Sequence, residues 1–247
     1  MFLNPQYSDA YLNDYYSSYV GLSEATNARA LAAEHRARYQ IYHHYMSLVE
    51  RRGRKGTLLA VGCGDGLEIC VANERGWEAE GFDVDPVTTA SVSARLGVKV
   101  LSGDFPEVPY ARGSFECVFL NQVLEHPKNP QAYLRTIRDV LAPEGIVFIA
   151  CPNIESVSSR LKIAAGRLGL KKRRGKHYDT WHHLFYYSPA VLKGVIERYF
   201  GFRVLHIENG FGDKARGFSD SRIRREIVMN RFLPCWKDVF VLMATTD

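Results

Sequence analysis

Apolar residues come in short bursts through the middle of the chain, each closed by glycine, proline or an acid. "TLLAVGC" (57–63), "AEGFDVD" (79–85), "VKVLSGD" (98–104), the start of "FECVFLNQVLEH" (115–126) and "IVFIACPN" (146–153) are too brief for helices and read as buried strands. Stretches with apolar residues at helical spacing lie between them. "GLEICVANERG" (66–76) ends at Gly76, "TTASVSARLG" (88–97) at Gly97, and "PQAYLRTIRDVLAPEG" (130–145) is stopped by Pro143 and Gly145. Ahead of this series, residues 23–51 are rich in helix formers, with Ser23 and Glu24 at the expected start, and "GRKG" (53–56) breaks the chain after them. Strands alternating with helices imply a parallel sheet with helices on both faces. Beyond residue 153 the alternation loosens into a polar, basic insertion over 154–183. A helix at "SPAVLKGVIERYFG" (188–201), the apolar "FRVLHIE" (202–208), a helix at "SDSRIRREIVMNRF" (219–232) and the apolar "DVFVLMAT" (238–245) follow. The last two strands are expected to form an antiparallel pair at one edge of a seven-stranded sheet. The organisation expected is an N-terminal helical cap over 1–52 and one α/β domain over 53–247.

Composition narrows the class. The chain has 247 residues, 46% hydrophobic and 24% charged, which suits a folded globular domain and not a disordered one. No apolar run approaches the roughly 18 residues a membrane-spanning helix needs. The N-terminus lacks the basic-then-apolar pattern of a secretory leader. The five cysteines are scattered without CxxC spacing, as reduced thiols in a cytoplasmic protein would be. The net charge of +5 is concentrated in "KIAAGRLGLKKRRGKH" (162–177) and "RIRREIVMNR" (222–231), either solvated surface or a basic rim that attracts an anionic partner. No RNA- or DNA-binding module is legible.

The chemistry starts at "LLAVGCGDGLEI" (58–69), where Gly62, Gly64 and Gly66 join a strand to a helix. Such a turn lets a ligand approach the backbone and presents free N–H groups. A phosphate loop would need GxxxxGK[ST], which is missing, and a dinucleotide turn would need GxGxxG, whereas the third glycine comes one residue early. The helix start offers Glu68 and no base. Asp83, about 20 residues on, ends the second strand, where a carboxylate can accept both hydroxyls of a ribose. The site therefore suits a ribose without a pyrophosphate.

Taken together, "LLAVGCGDG", "GFDVDP", "GDF", "FECVFLNQVLEHPKNPQAYLRTIRDVLAPEGIVFIACPN" and "HLFYYSP" resemble the class I S-adenosylmethionine-dependent methyltransferases. The branch is the broad one that includes ubiquinone-pathway, sugar and natural-product methyltransferases. The resemblance covers about residues 56–205 and implies a Rossmann-like doubly wound sheet with S-adenosylmethionine as cofactor. It implies that Gly62, Cys63 and Gly64 line the methionine end of the cofactor, that Asp83 binds the ribose and that Val84 packs on the adenine. Asp104 and Phe105 then meet the adenine amine and ring face, and Asn121 and Gln122 close over the sulfonium. Tyr15 and Tyr19 of the aromatic N-terminus are candidates for the methionine carboxylate. One position departs from the family: Ala60 stands where an acid usually sits two places before the first glycine, so that either cofactor affinity is weaker or the N-terminal region supplies the missing group.

Methyl transfer to a hydroxyl needs a proton acceptor, and histidine is the natural one near neutral pH. "KHYDTWHHLFYYSP" (176–189) offers His182, favoured over His183, with His126 a third candidate beside Glu125. No metal is expected, because no carboxylate pair accompanies the histidines at ligand spacing. The implied reaction is methyl transfer to oxygen of a small molecule or sugar precursor. An N-methyltransferase acting on a small amine and a non-catalytic S-adenosylmethionine-binding protein are the alternatives. Lys171, Lys172, Arg173, Arg174 and Lys176 beside the histidines suit an anionic acceptor, a phosphate- or nucleotide-bearing sugar or an anionic carrier lipid.

Overall fold

The computed structural model describes residues 25–168 and 183–246, together with Ser8, Tyr11, Leu12 and Ser23. Its strands are β1 (Thr57–Val61), β2 (Glu78–Asp83), β3 (Val100–Ser102), β4 (Phe115–Asn121), β5 (Leu141–Pro152), β6 (Phe202–Asn209) and β7 (Val239–Thr246). They form one sheet in the order β3-β2-β1-β4-β5-β7-β6. The pairs β3–β2, β2–β1, β1–β4 and β4–β5 are parallel, and β7 runs antiparallel to both β5 and β6. This is the doubly wound sheet with an antiparallel edge that the apolar bursts predict.

Alternation along each central strand divides the core in two. Leu58 and Ala60 of β1 face one way with Phe148 of β5, while Leu59 and Val61 face the other with Val147 and Ile149. The first face is covered by α1 (Ala28–Glu34), α2 (Arg36–Glu50), α3 (Leu67–Glu74), α4 (Pro86–Leu96) and α8 (Asp220–Asn230). The second is covered by α5 (Pro130–Val140) and α7 (Pro189–Phe200). Burying both faces is what permits the near-continuous apolar strands.

Local boundaries depart from the sequence expectation in three places. The first described cap of the N-terminal helical stretch is Asn27, whose Oδ1 accepts the Ala30 amide, and not Ser23; Glu24 lies outside the described residues. The helix at 130 ends at Val140, short of Pro143. Leu141 turns extended and pairs with Phe115, and its apolar side chain is buried there. Ala142, as the residue before a proline, is also biased away from helix. The third departure is α6 (Val157–Arg167), a helix inside the insertion, capped by Ser156 on the Ser159 amide. Among the described residues no helix is long and apolar enough to cross a membrane.

Candidate functional site

Parallel register brings the chain out of the sheet repeatedly along one rim. Val61 pairs with both Phe82 and Leu120, so Gly62, Asp83 and Asn121 follow at the same level, and Asn121 pairs with Ala150 just before Asn153. Open parallel sheets bind ligands at this carboxyl end of their strands.

The glycine turn is built on β2. The amides of Gly62 and Cys63 both donate to the Phe82 carbonyl, at 2.7 and 3.0 Å. The Gly64 amide then donates to Asp83 Oδ2 at 2.9 Å, and the Asp85 amide to Oδ1 at 3.2 Å. Burial pushes the Asp83 carboxyl above its usual range even though these amides favour the ionised form. Val84 next to it is an exposed apolar side chain. Asp104 is exposed on the loop after β3.

Phe105 corrects the sequence expectation. Its ring is wholly buried, 5.1 Å from the rings of both Phe82 and Tyr133, so it is a core residue and turns no face to a cofactor. Tyr15, Tyr19 and His182 lie outside the described residues, as does the basic run 171–176.

Helix α2 delivers groups that the sequence did not single out. Arg38 grips Asp65, in the middle of the glycine turn, through two hydrogen bonds of 2.6 and 2.9 Å. His35 Nε2 stands 3.3 Å from the same carboxylate. Burial opposes ionisation of Asp65, but the Arg38 hydrogen bonds and charge outweigh it and hold the carboxyl below its usual range. Tyr42, under the Arg38 guanidinium, accepts a hydrogen bond from Asn121 Nδ2 at 3.0 Å. One helix thus touches the turn after β1 and the end of β4. Glu68, on the first turn of α3, is almost fully buried, and among the described residues nothing donates to its Oε2. Burial raises this carboxyl to about 8. Asp65 could have been found from its place inside "GCGDG"; Arg38 is one arginine among several on its helix and carries no such mark.

After β4 the chain takes a left-handed step at Gln122 (φ 60°), whose amide donates to the Ala150 carbonyl and whose Nε2 is buried without an acceptor among the described residues. Glu125 follows, wholly buried, and burial raises its carboxyl to about 8. Its main-chain carbonyl accepts the amides of Leu184 and Phe185, at 2.8 and 3.0 Å. Tyr187 Oη donates to the Leu124 carbonyl at 3.2 Å. These bonds sew the segment after the insertion to the loop after β4. They bring His183 beside His126, with ring centroids 4.9 Å apart.

The residues present fit S-adenosylmethionine. Asp83 offers a carboxylate for a ribose diol and Val84 an apolar face for a base. Arg38 and Asp65 carry the two charges that a free amino acid's zwitterion needs. The space a Cβ at Gly64 would point into is open for 4 Å.

Comparison with known proteins agrees. Residues 33–207 match the model of a family described as a methyltransferase domain. A Mycolicibacterium smegmatis protein named "Probable S-adenosylmethionine-dependent methyltransferase" is 30% identical over 110 residues. That stretch is 44% of this chain and spans 42% of the relative's length. An S-adenosylmethionine-dependent methyltransferase from Thermotoga maritima, described as a possible histamine N-methyltransferase, superposes with a TM-score of 0.63 at 14% identity, covering 96% of this chain and 98% of its own. One from Archaeoglobus fulgidus superposes with a TM-score of 0.59 at 18% identity, covering 87% and 98%. At such identities the two structures speak for the fold.

Proposed function

The chain belongs to the S-adenosylmethionine-dependent methyltransferases through its methyltransferase domain, and from that premise we propose that it methylates an oxygen of a small molecule, a sugar or glycan precursor bearing negative charge. S-adenosylmethionine supplies a methyl group activated by its sulfonium. The protein's work is then to hold the acceptor in line, exclude water and take up the hydroxyl proton. Positioning of this kind is worth on the order of 7–11 kcal/mol, and proton removal about 10²- to 10⁴-fold in rate.

In this reading the backbone of Gly62, Cys63 and Gly64 lines the methionine end, with Arg38 facing its carboxylate and Asp65 its ammonium. That pair stands in for the acid missing at Ala60. Asp83 holds the ribose, Val84 covers the adenine and Asp104 meets its amine. Asn121 and Gln122 border the reacting sulfur. Proton uptake falls to the cluster of Glu125, His126 and His183. The observation that carries the reading is that this cluster follows directly on Asn121 and Gln122, on the rim shared with Asp83. The insertion 154–183 belongs to the substrate side in this reading, and its basic run suits a phosphate on the acceptor.

The test has three parts. Calorimetry with S-adenosylhomocysteine and with NAD should give binding of the first alone. Incubation with methyl-labelled S-adenosylmethionine and a panel of hydroxyl and amine acceptors, some phosphorylated, should give an O-methyl product identified by NMR. An N-methyl product would overturn the oxygen assignment, and binding without turnover on any acceptor would favour the non-catalytic alternative. Replacing Lys171, Lys172, Arg173, Arg174 and Lys176 by glutamine should raise KM for the acceptor, most at low salt, and leave cofactor affinity alone.

A further inference from the structure

Two histidines and a buried carboxylate meet where the loop after β4 is sewn to the segment after the insertion. Glu125 Oε1 lies 4.0 Å from His126 Nε2 and 3.9 Å from His183 Nε2, and one ligand atom from each residue can be chosen so that all lie within 4.8 Å of one another. Imidazole nitrogens with one carboxylate oxygen are the donor set of zinc and its first-row neighbours. Three protein ligands leave further positions open, as in catalytic rather than structural sites. Metal–ligand bonds of about 2.1 Å at tetrahedral angles put ligand atoms about 3.4 Å apart. The two carboxylate–imidazole pairs need to close by roughly half an ångström and the imidazole pair by up to about 1.4 Å, through ring rotation and a small approach of the two loops.

A second observation points the same way. Glu125 is wholly buried, and among the described residues no donor reaches its Oε1. A buried acceptor left unsatisfied costs about 1–3 kcal/mol, and a cation at this point removes that cost. The other oxygen, Oε2, is held separately by the Cys151 thiol at 3.6 Å, an arrangement that fixes which oxygen faces the histidines. The scaffold is rigid where it must be, since the carbonyl of Glu125 itself accepts the two amides that follow His183. Both histidine side chains keep some exposure, 20% for His126 and 12% for His183, so an ion and an acceptor can reach them from the rim.

We propose that Glu125, His126 and His183 bind one divalent first-row transition ion, with zinc as the reference, whose open positions take the acceptor hydroxyl. The ion's purpose rests on the methyl-transfer reading; its binding does not. A hydroxyl on such an ion sheds its proton to solvent at lower pH, as zinc-bound water does near 7. The oxygen lone pair then forms the new O–CH3 bond as the methyl–sulfur bond breaks and the sulfonium leaves as a neutral thioether. Magnesium is disfavoured, because it prefers oxygen ligands and retains its water.

The experiment uses the tag-free full chain, stripped with chelator and dialysed against zinc, cobalt or magnesium. The expected result is one equivalent of zinc at micromolar concentration, a cobalt visible spectrum of low-symmetry type, and little magnesium. Loss of groups behind a ligand weakens metal sites by about 10- to 100-fold, so Glu125→Gln and His183→Ala should each weaken zinc binding by at least about 100-fold. Both variants should keep a cooperative melt and the wild-type affinity for S-adenosylhomocysteine. Absence of saturable zinc binding, or binding that survives in the double variant, overturns the site. Methyl transfer undiminished after the ion is removed overturns its purpose and returns proton uptake to the histidines. Failure of methyl transfer in the zinc-loaded protein strikes the methyl-transfer reading alone, because the binding data stand by themselves.

Discussion

Arg38 and Asp65 form a two-point ion pair, with nitrogen–oxygen distances of 2.6 and 2.9 Å, that fastens the N-terminal helix α2 to the glycine turn. The side chains are 23% and 10% exposed, between the surface pairs that contribute little and the buried ones that are costly to break. Arg38→Ala leaves the largely buried Asp65 carboxylate without its two-point partner, with His35 Nε2 3.3 Å away. The expected loss is about 2 kcal/mol, or roughly 4–8 °C in Tm for a chain of this size. A double-mutant cycle with Asp65→Asn, read by urea unfolding, should return a coupling energy well above zero. Additive single losses would show that the pair is incidental to the docking of α2.

Asp83 has two duties that substitutions can separate. Its carboxylate accepts the Gly64 and Asp85 amides, and in the proposed site it also accepts the ribose hydroxyls. Hydrogen bonds to a charged group are worth about 1.5–3 kcal/mol. Asp83→Ala should therefore weaken S-adenosylhomocysteine about 10- to 150-fold by calorimetry. Asp83→Asn keeps an oxygen for Gly64, so it should melt near wild type and still bind the nucleoside poorly. Unchanged affinity in both variants would mean that the ribose is held elsewhere.

Much of this site was legible before the fold. The strands announce themselves because each is buried on both faces and so reads as an unbroken apolar run ended by a rim residue. Asp83 and the glycine turn are legible for the same reason, since a strand end fixes where the next side chain stands. What escaped depends on packing between distant elements. Arg38 matters because α2 crosses the turn, and the sequence of α2 does not say where it crosses. His183 meets Glu125 across 58 positions through two backbone hydrogen bonds that no side-chain pattern records. The family resemblance implied that Phe105 faces the adenine. Its burial follows from Phe82 and Tyr133, which lie on other elements.

Glu208 sets a pH dependence away from the site. Its carboxylate receives His44 Nε2 at 2.9 Å and His206 Nε2 at 2.8 Å. Burial opposes its ionisation, but hydrogen bonds from His206 and His44 prevail and draw it from 4.5 down to about 2. A carboxyl depressed by folding stabilises the protein above its unfolded value and loses that contribution as pH falls through the folded one. Allowing for solvent screening, the contribution is about 2 kcal/mol at neutral pH. The difference in urea stability between wild type and Glu208→Gln should be full at pH 6, shrink below 4.5 and vanish near 2. A difference that is flat from pH 6 to the acid limit would assign the effect to packing.

Gly64 and Gly66 share one turn, yet alanine at the two positions should fail in different ways. Both sit in the left-handed region, at φ 49° and 78°. An L side chain costs about 1–2 kcal/mol in that region. At Gly66 a Cβ would also stand 2.6 Å from Val92 Cγ1 and 3.0 Å from Leu96 Cδ1, pushing α4 off the turn. Overpacking of that kind adds about 1–3 kcal/mol, so Gly66→Ala should lose roughly twice the stability of Gly64→Ala. At Gly64 nothing of the protein lies within 4 Å of a Cβ, and that open space is where the proposed site puts the methionine end of the cofactor. Gly64→Ala should consequently melt only a few degrees early while losing S-adenosylhomocysteine affinity by tenfold or more, an extra cost of about 1.4 kcal/mol. Calorimetry and thermal melts on the same two variants decide it. If Gly64→Ala binds as wild type does, the space beside the turn is not the cofactor's.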